Sequence, residues 1–217
     1  MSLLGSNSMT WFTSMKCKDI PAFVDDEYIT SRNDYITKID FQLSKIHTRA
    51  GTRDVISSWD QLISDLLKHQ KFGKFIKKAK SHFAKTHLAM LNLEGKSENE
   101  KAKTITNKVK ELYSLNDFYG KYANQTISEM QKTKRGNVGN INLYLVGALR
   151  AAGMNVDPVI LSTRTHGKVN RDYPITEKFN YVIATVSLGD NMLLIDATSS
   201  ETPYFMLPLR CLNDWLN

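Results

Sequence analysis

Side chains able to do chemistry are few in this chain and poorly spaced for the commonest reactions. The five histidines, His47, His69, His82, His87 and His166, include no pair at the i, i+4 spacing that sets two imidazoles on one helix face around a metal. No metal and no other cofactor is expected. Two cysteines, Cys17 and Cys211, lie near opposite ends, and neither sits beside a histidine or a helix start. They read as inert small hydrophobes, as a terminal disulfide, or as one reactive thiol. What remains is Asp196, closing the apolar run Leu194-Ile195, and the loop Ser162-Thr163-Arg164-Thr165-His166-Gly167. An aspartate at a strand end serves as a hydrogen-bond acceptor, here toward Asn180 or the turn at Thr198. His166 reads as a turn residue, a ligand contact or a base.

These groups need a frame, and the stretch from Gly136 to Gly153 supplies it. Glycines and asparagines lead in, apolar residues then occupy nearly every helical face, and Gly153 follows as a left-handed C-cap requires. The pattern predicts a helix buried inside the domain, beginning within about two residues of Val138, with Arg150 near its carboxyl end complementing the dipole. Behind it, 156–162, 179–187 and 192–197 read as strands, the last two joined by a hairpin at Leu188-Gly189-Asp190-Asn191. Ahead of it, Ser58-Trp59-Asp60-Gln61 and Ser97-Glu98-Asn99-Glu100 have the form of capping boxes that open helices. Helices first and antiparallel strands after make an α+β fold.

The order Gly-rich helix start, Leu149-Arg150-Ala151, strand, Phe179-Asn180-Tyr181-Val182-Ile183 and Leu194-Ile195-Asp196-Ala197-Thr198 resembles the core of the transglutaminase-like superfamily, whose members share a papain-like fold. The resemblance covers roughly 55–210. In that superfamily a cysteine at the helix start, a histidine on the next strand and an aspartate on the strand after form a thiol triad. Here those positions fall on Val138, Asn180 and Asp196. A valine has no atom that attacks, and an amide does not titrate, so no active catalytic residue is expected. The wording is similar to a bacterial subgroup in which this domain follows a β-rich one. That resemblance implies a connector and strand from the preceding domain over 1–50, the transglutaminase-like domain over 51–217, and an exported or periplasmic location. A cleft between the 163–175 loop and the 117–135 segment is expected, lined by Asn137, Arg164, His166 and Tyr181.

With 217 residues and 41% hydrophobic content the chain can build one core of ordinary size. No apolar run reaches the roughly 20 residues of a membrane-spanning helix. The formal charge of +7 is concentrated: seven lysines and no acid lie between Lys68 and Lys85. Phe72, Ile76, Ala79 and Phe83 step at helical spacing among them, which predicts an amphipathic helix with Lys71, Lys74, Lys77 and Lys78 outward. That face is either simply solvated or touches an anionic surface; no nucleic-acid motif accompanies it. Near the N-terminus Ile39, Phe41 and Leu43 alternate as in a half-buried strand, and His47 to Arg53 reads as a loop around Gly51. Three functions stay open: a non-catalytic module binding a peptide, glycan or neighbouring domain; an amide-processing hydrolase or transferase with its nucleophile elsewhere; or a structural domain of a larger protein.

Overall fold

The computed structural model describes residues 58–169 and 174–213, with 18–24, 31–37, 45–54 and residues 14, 16, 29 and 172. The expected strand over Ile39, Phe41 and Leu43, and Cys17, lie outside the described residues. Two short strands, β1 (Lys45–Thr48) and β2 (Gly51–Asp54), pair antiparallel. The loop expected over His47 to Arg53 is therefore a hairpin. Its turn closes because Gly51 takes φ +130 and the Thr48 hydroxyl accepts from Ala50 N–H while donating to Gly51 O.

Three helices precede the central one: α1 (Trp59–Lys68), α2 (Gly73–Thr86) and α3 (Glu98–Leu112). Ser58 caps α1 by accepting from Gln61 N–H, but the box is not reciprocal, since the Gln61 amide turns to Asp65. Ser97 and Glu100 form a complete box at the start of α3. On α2 the positions Phe75, Ile76, Ala79 and Phe83 are buried and the lysines face out, the division that the spacing predicts. The minimal parallel pair β3 (Ser114–Leu115) and β4 (Arg135–Gly136) brackets a short helix α4 (Ile127–Thr133), itself opened by a Thr126/Glu129 capping box.

Helix α5 (Val138–Ala151) is the centre of the core, with every residue from Val138 to Leu149 buried. Gly153 follows it at φ +81, and Arg150 donates to Val156 O and Asp157. One side of α5 packs on α2, and the approach is as close as backbones allow: a Cβ on Gly147 would stand 2.7 Å from Ala79 Cβ and from Lys80 N. Another side meets a three-stranded antiparallel sheet, β5 (Val156–Leu161), β6 (Tyr181–Leu188) and β7 (Asn191–Ile195), with β6 in the middle. Ala184 pairs with Ile195 and Leu188 with Asn191, so the hairpin turn falls where the sequence signals it. The architecture is α+β. No helix among the described residues is long and apolar enough to cross a membrane.

Candidate functional site

The start of α5 lies where the glycine and asparagine signals place it. Asn137 is its N-cap, Oδ1 accepting from Asn140 N–H at 2.8 Å. In an exposed helix terminus the first N–H groups would await an anion. Here two of them are occupied. Val138 N–H donates to Phe118 O at 3.2 Å, and Asn140 N–H is already held by the cap. The segment above is fastened down by Asn137, whose Nδ2 donates to Tyr122 O at 2.9 Å. Asn140 fastens it too, accepting from Asn124 and Gln125 N–H and donating to Gln125 O. A Cβ on Gly139 would lie 2.4 Å from the Tyr122 carbonyl carbon and oxygen, so backbone rests directly on the helix start. The Val138 side chain beneath is fully buried.

A second fastening is Lys121, 8% exposed, whose ammonium donates to Thr176 O at 2.7 Å and Phe179 O at 2.8 Å. Burial pulls its pKa down, and Glu177 opposes that. It ties the 117–135 segment to the turn that leads into β6.

Below the cover lies a buried polar network centred on Asp196, which follows β7 and is fully buried. Its Oδ2 accepts from Asn142 Nδ2 at 2.9 Å and from the Tyr181 hydroxyl at 2.8 Å, and its Oδ1 accepts from Thr198 N–H at 2.8 Å and the Thr198 hydroxyl. Asn142 also donates to Val182 O and accepts from Ala197 N–H, which joins α5 to β6 and the end of β7. Arg210 closes the network, donating through Nε to the Tyr181 oxygen at 3.0 Å and through Nη2 to Thr198 Oγ1 at 2.7 Å. Burial, then the Asp196 charge, drives the Tyr181 phenol far above its ordinary pKa. At the margin sits Cys211, 7% exposed, its thiol pushed up to about 12 by burial and then by Asp196. A thiol so held is protonated near neutrality, and no imidazole stands among its electrostatic neighbours.

No family model and no curated protein matches the chain. Among solved structures, a putative protease from Parabacteroides distasonis is similar at a TM-score of 0.43 and 14% identity, over 63% of this chain and 30% of that one. The chain thus spans less than a third of that protein's length.

Of the three residues on which the expected triad positions fall, Val138 and Asp196 are fully buried and Asn180 is half-buried, bonded elsewhere. The Asn180 amide is spent on Thr163, accepting from its N–H and donating to its hydroxyl, both at 2.9 Å. Neighbouring residues at a strand start face opposite ways, and it is Tyr181 that meets Asp196. The four residues expected to line a cleft lie in different surroundings. Asn137 and Tyr181 are interior and committed, Arg164 is half-buried with its N–H donating to Arg210 O, and His166 is exposed beside Glu177 O. Lys121 fastens the 117–135 segment to Thr176 and Phe179, just beyond the 163–175 loop. A cavity of about 550 Å³ exists elsewhere, bounded by Trp59, Leu161, Ile183, Leu194, Leu207 and Cys211. None of the four expected binding residues lines it.

The bond from the turn at Thr198 to Asp196 is one of the two the sequence offers, whereas Asn142, Lys121 and Arg210 join the site without being singled out from sequence. One signal was available: Asn140 and Asn142 stand in a helix apolar on every face, where a polar side chain must find partners. Among the described residues no group of histidines, cysteines and carboxylates could hold a metal.

Proposed function

We propose that this chain is a non-catalytic module on the transglutaminase-like, papain-like plan, whose old reaction centre has become structural and whose recognition surface lies on the cover above it. The observation that carries this is the helix start: Val138 is fully buried there, its N–H bonded to Phe118 O, and the Tyr122 backbone rests against Gly139, which leaves no open terminus for a nucleophile. Asp196, the one residue kept from a triad, spends its oxygens on Asn142, Tyr181 and Thr198, with no imidazole to orient. The hydrolase alternative would fall to Cys211, and its raised pKa and missing base speak against it.

The cover itself has the composition of a contact surface. Phe118, Tyr119 and Leu209 are 66%, 51% and 68% exposed, and the Arg210 guanidinium lies 5.7 Å from the Tyr119 and Tyr181 ring centroids. Rigid aromatic residues and a stacked arginine are the anchors that protein interfaces favour. A peptide or an adjacent domain is therefore the partner class this surface suits. The test has two arms. Wild type and Val138→Cys are assayed for amide hydrolysis and amine transfer and treated with thiol- and serine-directed probes; neither turns over substrate, and Val138→Cys melts close to wild type, since such swaps cost under about 1.5 kcal/mol. Peptides selected on wild type by display lose about tenfold or more in affinity for Phe118→Ser/Leu209→Ser, as hot-spot truncation does. Turnover that alkylation abolishes defeats the proposal.

A further inference from the structure

Outside the sealed centre, α2 and the start of α4 build a second feature. Along α2 the exposed side chains include Lys74, Lys77, Lys78, Lys80 and Lys85, with Lys71 just ahead. None of these lysines takes part in an ion pair among the described residues. The row from Lys74 to Lys85 rises about 16 Å along the helix. At its amino-terminal end the charges turn into a recess of about 400 Å³, where Gln70, Lys71, Lys78, Asn124 and Ser128 surround an apolar part formed by Phe75 and Ile127. Its floor is fixed, because Ala123 N–H donates to Lys71 O at 2.9 Å and Asn140 holds Asn124 and Gln125. The side-chain amides of Gln70 and Asn124 and the Ser128 hydroxyl have no hydrogen-bond partner among the described residues. Glu129, the one acid on the rim, is turned to the Thr126 cap.

We infer that this recess and the lysine row bind an acidic polysaccharide, carboxylates pairing with Lys71 and Lys78 and sugar hydroxyls with Gln70, Asn124 and Ser128. Two alternatives fit less well. No exposed position of α2 carries a large apolar side chain, so nothing there would enter the apolar layer of a membrane as interfacial helices do. Phe72 and Phe83 are buried, and Phe75, which lines the recess, is only 5% exposed, so no aromatic ring stands out from this face to stack a base. A flexible carboxylated chain needs what is present: a line of cations and, at one end, neutral donors and acceptors in a fixed concavity.

The experiment measures binding of polygalacturonate, neutral dextran, phosphatidylglycerol-containing vesicles and single-stranded DNA to the whole chain at physiological salt. Polygalacturonate binds and dextran does not. Lys71→Gln/Lys78→Gln weakens binding about tenfold or more, from the loss of two charge-assisted contacts. Gln70→Ala/Asn124→Ala, which leaves the charge unchanged, weakens polygalacturonate about three- to tenfold and leaves any residual vesicle or DNA binding as it was. Lys101→Gln/Lys103→Gln on α3 serves as the charge-matched control and stays within about twofold of wild type. All four recess positions substituted are exposed, so these variants keep the fold. The inference is overturned if polygalacturonate does not bind, if vesicles or DNA bind more tightly, if the control weakens binding equally, or if Gln70→Ala/Asn124→Ala has no effect.

Discussion

Replacing Asp196 by asparagine tests whether the buried network holds the sheet to α5. The change is nearly isosteric, so packing is preserved and only the hydrogen-bond polarity of one oxygen is inverted. With Oδ1 kept toward Thr198, the new amide nitrogen stands where Asn142 Nδ2, at 2.9 Å, and the Tyr181 hydroxyl, at 2.8 Å, both donate. Tyr181 can rotate its proton toward Thr198 Oγ1, 2.9 Å away, but Asn142 Nδ2 has one hydrogen left facing a donor. Arg210 also loses the carboxylate whose charge its neighbours relay. Two charge-assisted bonds at about 1.5–3 kcal/mol each, less what Tyr181 recovers, give a loss of about 3–5 kcal/mol. For a chain of this length that is a fall in Tm of roughly 6–20 °C, read by calorimetry or by urea midpoint with m unchanged. The swapped pair Asn142→Asp/Asp196→Asn should recover part of it: a donor at 196 then meets an acceptor at 142, while Val182 O stays bare. A loss under about 1 kcal/mol, or no recovery in the swap, refutes the account of the network.

Three further outcomes follow from the geometry. His82, bonded to Tyr144 and Gln131, and His87 both have pKa values lowered by burial, with the Coulombic fields of His82, Lys108 and Lys134 adding to the effect at His87 and Glu111 opposing them. The unfolded chain therefore takes up their protons first, so stability is fully present above about pH 6.5 and declines as pH falls through the lowered values; Tm measured from pH 7.5 to 5.5 should drop, and the slope should flatten in His82→Gln/His87→Gln. Gly147→Ala should destabilise by about 1–3 kcal/mol, helix propensity notwithstanding, because the added methyl would lie 2.7 Å from Ala79 Cβ and Lys80 N; a variant as stable as wild type would show that α2 and α5 can separate freely. In Cys17→Ser protein the remaining thiol, Cys211, should resist iodoacetamide in native buffer at pH 8 and take up one label in guanidinium, as its burial and high pKa require; rapid native labelling, read by mass spectrometry, would revive the thiol-enzyme alternative.

What the sequence disclosed depends on how far apart the interacting residues lie. The Ser97/Glu100 box, the Asn137 cap, the outward lysines of α2 and the β6–β7 turn are settled by neighbours within a few positions, and local patterns read them correctly. The Thr126/Glu129 box was equally local, yet it was obscured by the weak periodicity around it. The site is different in kind. Asn142 meets Asp196 across 54 positions, Lys121 meets Phe179 across 58 and Arg210 meets Tyr181 across 29, and no spacing rule reaches that far. Aligning the expected histidine position with Asn180 shows how a small shift is amplified. Strand side chains alternate, so one residue of register exchanges the two faces of the sheet. At 180 the side chain clamps the loop at Thr163; at 181 it faces the aspartate, and the residue there is a tyrosine whose hydroxyl donates to Asp196 and accepts from Arg210. Backbone of 118–125 rests on the start of α5 and Lys121 fastens that segment to Thr176 and Phe179, so a substitution at Val138 alone leaves the helix terminus covered.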